Sequence, residues 1–486
     1  MTQIDDLISG LNPVQRDAVL ATEGPVLIVA GAGSGKTRVI THRVAHLLRK
    51  GVRPRQVLAI TFTNKAAAEM RERIKHLVGS SIADDMWIMT FHSACARILR
   101  YDGDQLGFGK NFTIYDDQDA ERVLSGILKD LNLDPKRWPS RSFKNAISKA
   151  KNVCVDAAGL AEVAASYPER IAAQVYGMYE VRLKENNALD FDDLLMRSVQ
   201  LFESKPETLT KWQDRFRYVV IDEYQDTNHA QYRFASLLAA KYRNICVVGD
   251  EDQSVYAFRG ATIRNILEFE RDWPEAKVFK LEQNYRSSQT ILDAANAVIR
   301  NNTQRKDKQL FSERGEGQKV IRYQADDEHD EAHFVAGEIN RLTREEPITG
   351  SEIAVFYRTN AQSRVLEEVF VRYGIGYRVV GGLKFWERRE VRDAMAYLRA
   401  AHNPADRIAL LRAAGAPKRG VGPGTVSKLE AFASEQRVSL ADAFARADEV
   451  GSLTGKAKAG ALDLARILRL IRQRDAAGEP LPDVIR

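Results

Sequence analysis

Short apolar runs alternate with amphipathic segments in the first part of the chain. The runs at 25–30, 56–61 and 87–90 are each followed by residues with the apolar spacing of a helix. Continuous apolar runs of this length are typical of strands buried on both faces, and their alternation with helices predicts a parallel α/β sheet. Further apolar runs at 218–221 and 245–248 predict strands that complete the same sheet.

Helical patterns fill much of the remaining chain. Residues 109–187 contain amphipathic segments bounded by prolines and predict a helical insertion. A second α/β pattern follows, with apolar runs near 278, at 319–323 and at 353–357. From about residue 380 onward the pattern is helical again. The chain is therefore predicted to contain two α/β regions, each associated with a helical region.

Length and composition narrow the class of protein. At 486 residues the chain exceeds the roughly 250–300 residues at which single cores stop growing, so we expect several domains. No apolar run approaches the roughly 18 residues of a membrane-spanning helix, and the first residues lack the regions of a signal peptide. The three cysteines are far apart, which excludes a disulfide framework and a recognisable zinc site. We therefore expect a cytoplasmic protein with no membrane contact.

Charge is unevenly distributed along the chain. The formal net charge is +6, and residues 371–486 hold 21 Lys and Arg against 13 Asp and Glu. A positive surplus attracts polyanions such as nucleic acids, although a solvated surface is an alternative interpretation. The polar run at 301–318 predicts a surface loop.

The sequence AGAGSGKT at 30–37 lies between a predicted strand and a predicted helix. Glycine-rich turns in this context present backbone N–H groups and a helix N-terminus to phosphate oxygens. We expect Lys36 to reach the β- and γ-phosphates of a nucleotide and Thr37 to bind Mg²⁺. The general phosphate-loop pattern has Gly where this chain has Ala30, so the interpretation needs further catalytic residues to support it.

Two adjacent carboxylates supply such support. In VVIDEYQD at 219–226 an apolar strand ends at Asp222 and Glu223. We expect Asp222 to hold Mg²⁺ directly or through water, and Glu223 to orient or deprotonate the attacking water. A helix cap or solvated turn would be the alternative for an isolated pair of this kind.

A third candidate loop, GDEDQSVYAFRGA at 249–261, follows another predicted strand. Its polar residues should emerge at the carboxyl edge of the sheet, where α/β proteins bind ligands. Gln253 is a candidate sensor of the γ-phosphate. Tyr256 and Phe258 offer aromatic faces two residues apart, for which core packing is the alternative.

Together these motifs resemble those of the superfamily 1 DNA helicases of the UvrD/PcrA/Rep type. The resembling segments, in family order, are LNPVQ at 11–15, AGAGSGKT at 30–37, TFTNKAAAEM at 61–70, TFHS at 90–93, ALDFDDLL at 188–195, VVIDEYQDTN at 219–228, GDEDQSVYAFRGA at 249–261, LEQNYRS at 281–287 and YRTNAQSR at 357–364. Ala30 is acceptable in this family. The resemblance implies two RecA-like phosphate-loop NTPase domains, the second incomplete, each with a mainly helical insertion.

The resemblance also implies domain limits. Residues 1–108 and 188–276 would form the first RecA-like core domain, with 109–187 as its helical insertion. Residues 277–378 would form the second core domain, and 379–486 its helical insertion. The GVGPGT turn within that last part resembles the duplex-contacting hairpin of the family, and a simple loop between two helices is the alternative.

For the nucleotide, the resemblance implies that Gln15 reads the adenine edge, Tyr285 stacks on the adenine, and Arg286 acts as an arginine finger. Arg38 matches a nucleotide-binding position just after the phosphate loop. The remaining candidate ATP contacts are Ala32, Gly33, Ser34, Gly35, Lys36 and Thr37. The implied cofactors are ATP and Mg²⁺, and Gln253 with Arg259 would link the ATP state to the grip on DNA.

For DNA, the resemblance implies a single-strand track lined by aromatic and polar residues. The matching positions are Phe62, Asn64, Phe91, His92, Phe191, Tyr256, Phe258 and Arg259, with Arg358, Asn360 and Lys384 as further backbone contacts. Aromatic faces stack on any base, which suits an enzyme that steps along every sequence. The family usually has Trp where this chain has Phe258, so we expect a weaker grip at that position.

The implied activity is that of an ATP-dependent 3′–5′ DNA helicase and single-stranded DNA translocase of DNA repair or replication restart, acting on single strands and duplex junctions. Segments resembling the last helicase motifs are not found, so we expect a chain that is cut short in its second insertion. Two other hypotheses are a catalytically defective ATP- and DNA-binding fragment and the helicase part of a RecB/AddA-like helicase–nuclease.

Overall fold

The computed structural model describes residues 7–256, 260–303, 305–306, 308–380, 386 and 388–485. The chain divides into two compact units. The larger unit combines residues 1–317 with 395–486, and the smaller unit comprises residues 318–394. We describe each unit separately.

A six-stranded sheet forms the centre of the larger unit. Its strands are β1 (Val26–Ala30), β2 (Val57–Thr61), β3 (Trp87–Thr90), β6 (Tyr218–Ile221), β7 (Ile245–Gly249) and β8 (Lys277–Leu281). Their order is β3-β2-β6-β7-β1-β8, and every neighbouring pair is parallel. The predicted parallel α/β class is therefore confirmed.

Helices cover both faces of this sheet. Those that follow or precede its strands are Pro13–Leu20, Lys36–Arg49, Asn64–Val78, Ser80–Asp84, Phe91–Asp102, Phe191–Ser204, Pro206–Arg215, His229–Ala239, Arg264–Leu267, Phe269–Asp272 and Gln289–Ile299. Within β1, Leu27 and Val29 belong to one hydrophobic core, whereas Val26 and Ile28 belong to the other. Alternate side chains of a strand point to opposite faces, which explains why this strand is apolar throughout.

The strand β8 differs from its predicted role. The apolar run near 278 was expected to open the second core domain, but β8 pairs with β1, with Val26 opposite Lys277 and Ala30 opposite Leu281. Val278 packs against one core of the sheet and Phe279 against the other. The strand extends the first sheet because its side chains complete both of that sheet's cores.

The region between β3 and β6 is mainly helical, as predicted. It contains the helices Asp117–Asp130, Ser140–Asn152, Ala157–Val163 and Tyr167–Glu185. Two short parallel strands, β4 (Thr113–Tyr115) and β5 (Ala188–Asp190), close its ends. Tyr176 and Tyr179 lie in its core. The strand β4 was not predicted, since three residues are too few for a periodic signal.

The C-terminal part of the larger unit is a helical region with an Ala-rich core. Its helices are Arg389–His402, which begins in the smaller unit, Arg407–Gly415, Pro423–Gln436, Leu440–Ala445, Gly455–Ala476 and Leu481–Ile485. Gly420 has φ +81°, and the GVGPGT turn runs into the helix that starts at Pro423. This region contacts the other helical region, where Tyr115 donates to Asp406 Oδ1 at 2.9 Å.

The smaller unit contains the helices Glu328–Glu345 and Ser363–Arg372, which pack through Ala332, Ala336 and Val369. The strands predicted at 319–323 and 353–357 are not formed, since neither run has the hydrogen bonds of a strand. Val320, Ile321 and Phe356 stay exposed, with Phe356 93% exposed, whereas Ile353 and Val355 are partly buried against the core of the smaller unit. A strand is stable only with a partner along its edge, and these runs have no such partner among the described residues.

None of the helices in the described part of the chain has the length and apolar character required to span a membrane.

Candidate functional site

The glycine-rich loop after β1 is held in a tight turn at the carboxyl edge of the sheet. Ser34 Oγ donates to the carbonyl of Gly31 at 2.7 Å. Gly33 and Gly35 have φ +69° and +87°, which residues with a Cβ adopt at a cost. Gly35 is the N-cap of the helix Lys36–Arg49. The backbone N–H groups at this helix start are free of helical partners and are suited to bind phosphate.

Residues from distant parts of the chain pack against this loop. Gln15 Nε2 donates to the carbonyl of Ser34 at 2.8 Å, and Asn284 Nδ2 donates to that of Ala32 at 2.6 Å. The backbone N–H of Tyr285 donates to Gly33 at 2.9 Å. The structure therefore brings two predicted nucleotide contacts, Gln15 and Tyr285, to the phosphate loop.

Arg286 lies beside the same loop. A Cβ added to Gly33 would stand 2.7 Å from Arg286 Cβ and 2.6 Å from Asn284 Nδ2. The Arg286 side chain is exposed, so it is available to a ligand. Its backbone is fixed because its N–H donates to Asn284 Oδ1 at 2.8 Å. Asn284, which the motif analysis did not single out, thus positions both the loop and the arginine.

The predicted catalytic carboxylates lie opposite the phosphate loop. Lys36 Nζ is 3.5 Å from Glu223 Oε2. Asp222 is buried at the end of β6, and its N–H donates to the carbonyl of Ile60 at 2.9 Å. Burial, followed by the neighbouring charge of Glu223, raises the pKa of Asp222 to about 7. Glu223 itself has φ +53°, a strained conformation of a kind found at functional sites.

The donor set fits Mg²⁺. This ion takes one or two protein oxygen ligands and completes its shell with phosphate and water. Asp222 forms no ion pair among the described residues, so its buried carboxylate is available to a cation. Thr37 lies in the first turn of the helix Lys36–Arg49, which we call the loop helix because it follows the phosphate loop. No cluster of three or more His, Cys, Asp or Glu side chains suited to a metal occurs in the described ranges.

Glu223 is linked by hydrogen bonds to the loop after β7. Gln225 Nε2 donates to Glu223 Oε2 at 2.8 Å, and Gln225 Oε1 accepts from the backbone N–H of Asp250 at 2.9 Å. Gln253 Nε2 in turn donates to Asp250 Oδ2 at 2.5 Å. The predicted γ-phosphate sensor Gln253 is thereby connected to the predicted base Glu223 through Gln225, which was not predicted.

Arg38 and Tyr285 occupy the rim of the site. The Arg38 side chain is exposed and contacts the position that a Cβ on Gly10 would take. The Tyr285 hydroxyl lies 2.9 Å from both Asn12 Nδ2 and Gln283 Oε1. The ring of Tyr285 is half exposed, which leaves a face open for a base.

The polar run predicted as a surface loop is partly buried. Lys308 is buried, with its Nζ 2.7 Å from Asp250 Oδ1, 2.9 Å from Glu251 Oε1 and 2.8 Å from Asp252 Oδ2. Arg305 forms a two-point contact with Asp252, at 3.0 and 2.8 Å. The prediction is wrong for these residues because the three consecutive carboxylates compensate the buried charges.

Two aromatic contacts lie on the surface that carries the predicted DNA track. Phe62 and Tyr256 pack together with ring centroids 4.7 Å apart and their planes tilted by 33°. His92 and Phe191 meet edge to face at 5.8 Å, and Phe191 is 50% exposed. Burial lowers the pKa of His92, which favours its neutral form. Faces of this kind suit stacking on bases.

Phe91 differs from the prediction. It is only 2% exposed and lies in the sheet core, where its ring packs edge to face on Phe234 at 6.3 Å. The helix Phe91–Asp102 starts at this residue, so Phe91 turns inward while its neighbour His92 turns toward the surface. Phe91 is therefore part of the sheet core and offers no exposed face for stacking.

The other predicted DNA contacts lie in different parts of the chain. Asn64 is exposed at the first turn of the helix Asn64–Val78. Arg358 and Asn360 belong to the smaller unit, where the N–H of Arg358 donates to Gln362 Oε1 at 2.9 Å. The predicted contacts Phe258, Arg259 and Lys384 lie outside the described residues.

A buried charge cluster lies at the start of the helix that begins at Phe191. Lys151 is fully buried, with its Nζ 2.7 Å from Asp190 Oδ2 and 2.8 Å from Asp193 Oδ2. Asp190 Oδ1 accepts from the N–H of Asp193 at 2.7 Å and so caps the helix that begins at Phe191. The DFDD sequence is a signal for this cap, but nothing local identifies Lys151 as the partner.

The parallel sheet, the loop helix and the carboxylates at the strand ends define the class of phosphate-loop nucleotide-binding proteins. The model of the UvrD/REP helicase N-terminal domain matches residues 11–274, and that of the UvrD-like helicase C-terminal domain matches residues 279–451. The chain belongs to the UvrD-like helicase family. These matches give no support to the expectation that the last helicase motifs are missing.

Curated relatives agree with this assignment. The chain is 50% identical over 460 residues to the ATP-dependent DNA helicase PcrA of Bacillus subtilis (strain 168), a match that covers 94% of this chain and 62% of that protein. It is also 50% identical over 446 residues to the ATP-dependent DNA helicase PcrA of Staphylococcus aureus (strain Mu50 / ATCC 700699), covering 92% and 61%. The chain thus spans about 62% of the length of the first of these relatives.

Proposed function

We propose that this protein is an ATP-dependent DNA helicase that moves 3′ to 5′ along single-stranded DNA and acts at duplex junctions in DNA repair or replication restart. The observation that carries the proposal is the link from the phosphate loop to the aromatic surface. Lys36 contacts Glu223, Gln225 joins Glu223 to Asp250, and the loop that follows Asp250 carries Tyr256, whose ring packs against Phe62. The family membership and the named activity of the relatives support the same function.

For the hydrolysis of ATP, each side chain has a distinct task. The loop N–H groups and Lys36 bind the β- and γ-phosphates, and Arg286 stabilises charge on the transferring phosphoryl group. Glu223 accepts a proton from the attacking water, whose oxygen bonds to the γ-phosphorus as the bond to the β–γ bridging oxygen breaks. Thr37 and Asp222 would hold Mg²⁺, which supplies neutralising charge on the phosphate oxygens when bound.

The contact between Lys36 and Glu223 gives a reason for coupling binding to catalysis. The Lys36 ammonium neighbours the Glu223 carboxylate at 3.5 Å. The phosphates of ATP carry more negative charge and draw Lys36 towards them, which releases Glu223 to act on water. Because Gln225 bonds both Glu223 and Asp250, a shift of Glu223 also reaches the loop with Gln253.

On the DNA side, the surface pairs Phe62 with Tyr256 and His92 with Phe191. A base inserted beside these rings gains about 1–3 kcal/mol of stacking without regard to sequence. Movement of the loop with Tyr256 during the ATP cycle would change the grip on one base at a time. Asn64, Arg259, Arg358, Asn360 and Lys384 are proposed contacts to the strand.

DNA-stimulated ATP hydrolysis tests the proposal. The purified chain should hydrolyse ATP faster when a single-stranded oligonucleotide is added, and Lys36→Ala should abolish turnover. Unwinding of a duplex with a 3′ single-stranded tail, compared with a 5′ tail, tests the direction. Binding of both ligands with no turnover above the Lys36→Ala background would instead identify an ATP- and DNA-binding module.

A further inference from the structure

The segment that follows the helix Gln289–Ile299 is fixed to the phosphate-loop edge of the sheet at two points. Lys308 Nζ lies within 2.9 Å of one oxygen from each of Asp250, Glu251 and Asp252. Two residues further on, Leu310 packs directly on the phosphate loop, since its Cδ2 stands 2.0 Å from the position that a Cβ on Gly31 would take. Lys308 and Leu310 therefore connect this part of the chain to both the loop after β7 and the loop after β1.

The segment is itself held in place by side chains. Asn296 Nδ2 donates to the carbonyl of Leu310 at 2.9 Å. Arg305 Nη2 donates to the carbonyl of Lys308 at 3.0 Å as well as to Asp252. Burial by itself lowers the pKa of Lys308, but the charge of Asp250 and hydrogen bonds to the carboxylates outweigh it and raise that pKa. Lys308 is thus a fixed cation opposite three acidic residues.

Asp250 stands between Lys308 and the catalytic residues. Its Oδ1 faces Lys308, its Oδ2 accepts from Gln253 Nε2, and its backbone N–H donates to Gln225 Oε1. Gln225 donates in turn to Glu223. The Lys308 ammonium fixes the Asp250 carboxylate, which accepts the hydrogen bond from Gln253. It thereby also fixes one end of the series of hydrogen bonds that runs from Asp250 through Gln225 to Glu223.

We propose that Lys308 is a positioning residue for ATP hydrolysis, which sets the loop after β7 so that Gln253 and Glu223 stand ready for the γ-phosphate and the attacking water. This inference rests on the proposed ATPase function. In this role Lys308 acts on the reaction through Asp250, with which it pairs. Its loss should therefore slow the chemical step more than it weakens nucleotide binding.

The alternative is a purely structural ion pair, and the neighbouring Glu251 allows the two roles to be separated. The Glu251 carboxylate is buried, and Lys308 is its ion-pair partner among the described residues. Lys308→Met leaves Asp250 and Glu251 without their ion-pair partner, while Asp252 keeps Arg305, and the variant is expected to be less stable. The double variant Glu251→Gln/Lys308→Met removes one of those charges and should recover stability, but it leaves Asp250 without its ammonium.

The experiment compares ATP hydrolysis and thermal unfolding of the wild type, Lys308→Met, the double variant and the control Lys306→Met. Lys306 lies in the same segment but pairs with Glu270. We expect kcat to fall about 10- to 100-fold in Lys308→Met with KM nearly unchanged. The double variant should keep the low kcat while its unfolding temperature returns towards the wild type, and Lys306→Met should keep the wild-type kcat. Recovery of kcat together with stability would overturn the proposal.

Amide hydrogen exchange gives a readout that does not depend on catalysis. The N–H groups of Asp252 and Gln253 are bonded to Asp250, at 3.2 and 2.9 Å. Lys308→Met should raise their exchange rates about tenfold or more, while the strands β1 and β7 stay protected. Unchanged exchange would refute the positioning role. If the wild type hydrolyses no ATP, the proposed function fails, and the exchange measurement still decides the role of Lys308.

Discussion

The Lys36 ammonium lies 3.5 Å from the Glu223 carboxylate, with Lys36 at the start of the loop helix and Glu223 just beyond the end of β6. One contact thus joins the cation proposed to bind phosphate to the carboxylate proposed to activate water. If these roles are correct, the functions of the two residues should separate on mutation.

Glu223→Gln should leave ATP binding nearly unchanged and reduce turnover about 10²–10⁴-fold, the usual contribution of a general base. Lys36→Met should weaken ATP binding as well, because the phosphates lose their cation. Titration with a fluorescent ATP analogue and steady-state hydrolysis measure the two effects. Glu23→Gln, at a carboxylate that bonds Tyr218 away from the site, is the matched control. Equal losses of binding in both site variants would contradict this division of roles.

Gly33 is expected to tolerate no side chain. It has φ +69°, and a Cβ there would meet Asn284 Nδ2 at 2.6 Å and Arg286 Cβ at 2.7 Å. Gly33→Ala should push these residues from the loop and reduce turnover at least about tenfold, a change of 1.4 kcal/mol in the barrier. Gly24→Ala is the control, since Gly24 has φ +80° with nothing within 4 Å of its Cβ. If both variants lose only stability, the contact with Arg286 has no role in the reaction.

How far the sequence predicts the site depends on whether a feature is local. The phosphate loop, its strand and its helix occupy 26–49 and are specified by adjacent residues, so the strand and the helix on either side of the loop were predicted from the sequence. The burial of Lys308 depends on carboxylates more than fifty positions earlier in the chain, and a run of polar residues resembles a surface loop until those partners are known.

The same limit applies to sheet membership and to helix orientation. The apolar pattern identified the strand at 277–281, but pairing with β1 is a long-range contact that no local pattern encodes. Phe91 and His92 were both predicted to line the DNA track, although consecutive helical residues point about 100° apart. Only the packing of the helix on the sheet shows that Phe91 is the inward residue.

Phe62→Ala should weaken binding of single-stranded DNA by about 1–3 kcal/mol, the usual value of one stacked base. Fluorescence anisotropy with a labelled oligonucleotide measures this effect. Tyr101→Ala, which removes another exposed ring that packs on Trp212, is the control and should leave DNA binding unchanged. Phe91→Ala should instead lower the free energy of unfolding by about 3–5 kcal/mol because Phe91 is in the core. A loss of DNA affinity in Phe91→Ala without a loss of stability would contradict its assignment.

Lys151→Met should lower the free energy of unfolding by about 3–5 kcal/mol, since it leaves Asp190 and Asp193 buried without their ammonium. Chemical denaturation measures this change. Lys144→Met is the control, because Lys144 pairs with the exposed Asp117 and should contribute less than about 1 kcal/mol. Equal effects of the two variants would show that the buried cluster does not stabilise the helix start at Phe191.

Asp222 should make stability depend on pH in a direction opposite to that of an ordinary salt-bridged carboxylate. Burial raises its pKa to about 7, compared with about 4 in an unfolded chain. Between these values the folded protein binds the additional proton, so its stability falls as pH rises through this window and is lowest above pH 7.

Asp222→Asn removes this titration and should therefore stabilise the nucleotide-free protein at pH 8 by about 1–3 kcal/mol relative to the wild type. At pH 4 the two proteins should unfold alike, because Asp222 is then protonated in the folded wild type. Chemical denaturation at both pH values measures the difference in the free energy of unfolding. Asp250→Asn would be an unsuitable control because Asp250 pairs with Lys308. Asp272→Asn, at a carboxylate that accepts a hydrogen bond from Tyr232 away from the site, is the control.

The stabilised Asp222→Asn protein should also lose turnover. The buried carboxylate that lowers the stability of the protein is the same group that is proposed to hold Mg²⁺. A variant that is stabilised yet fully active would separate the two properties and remove Asp222 from the metal site.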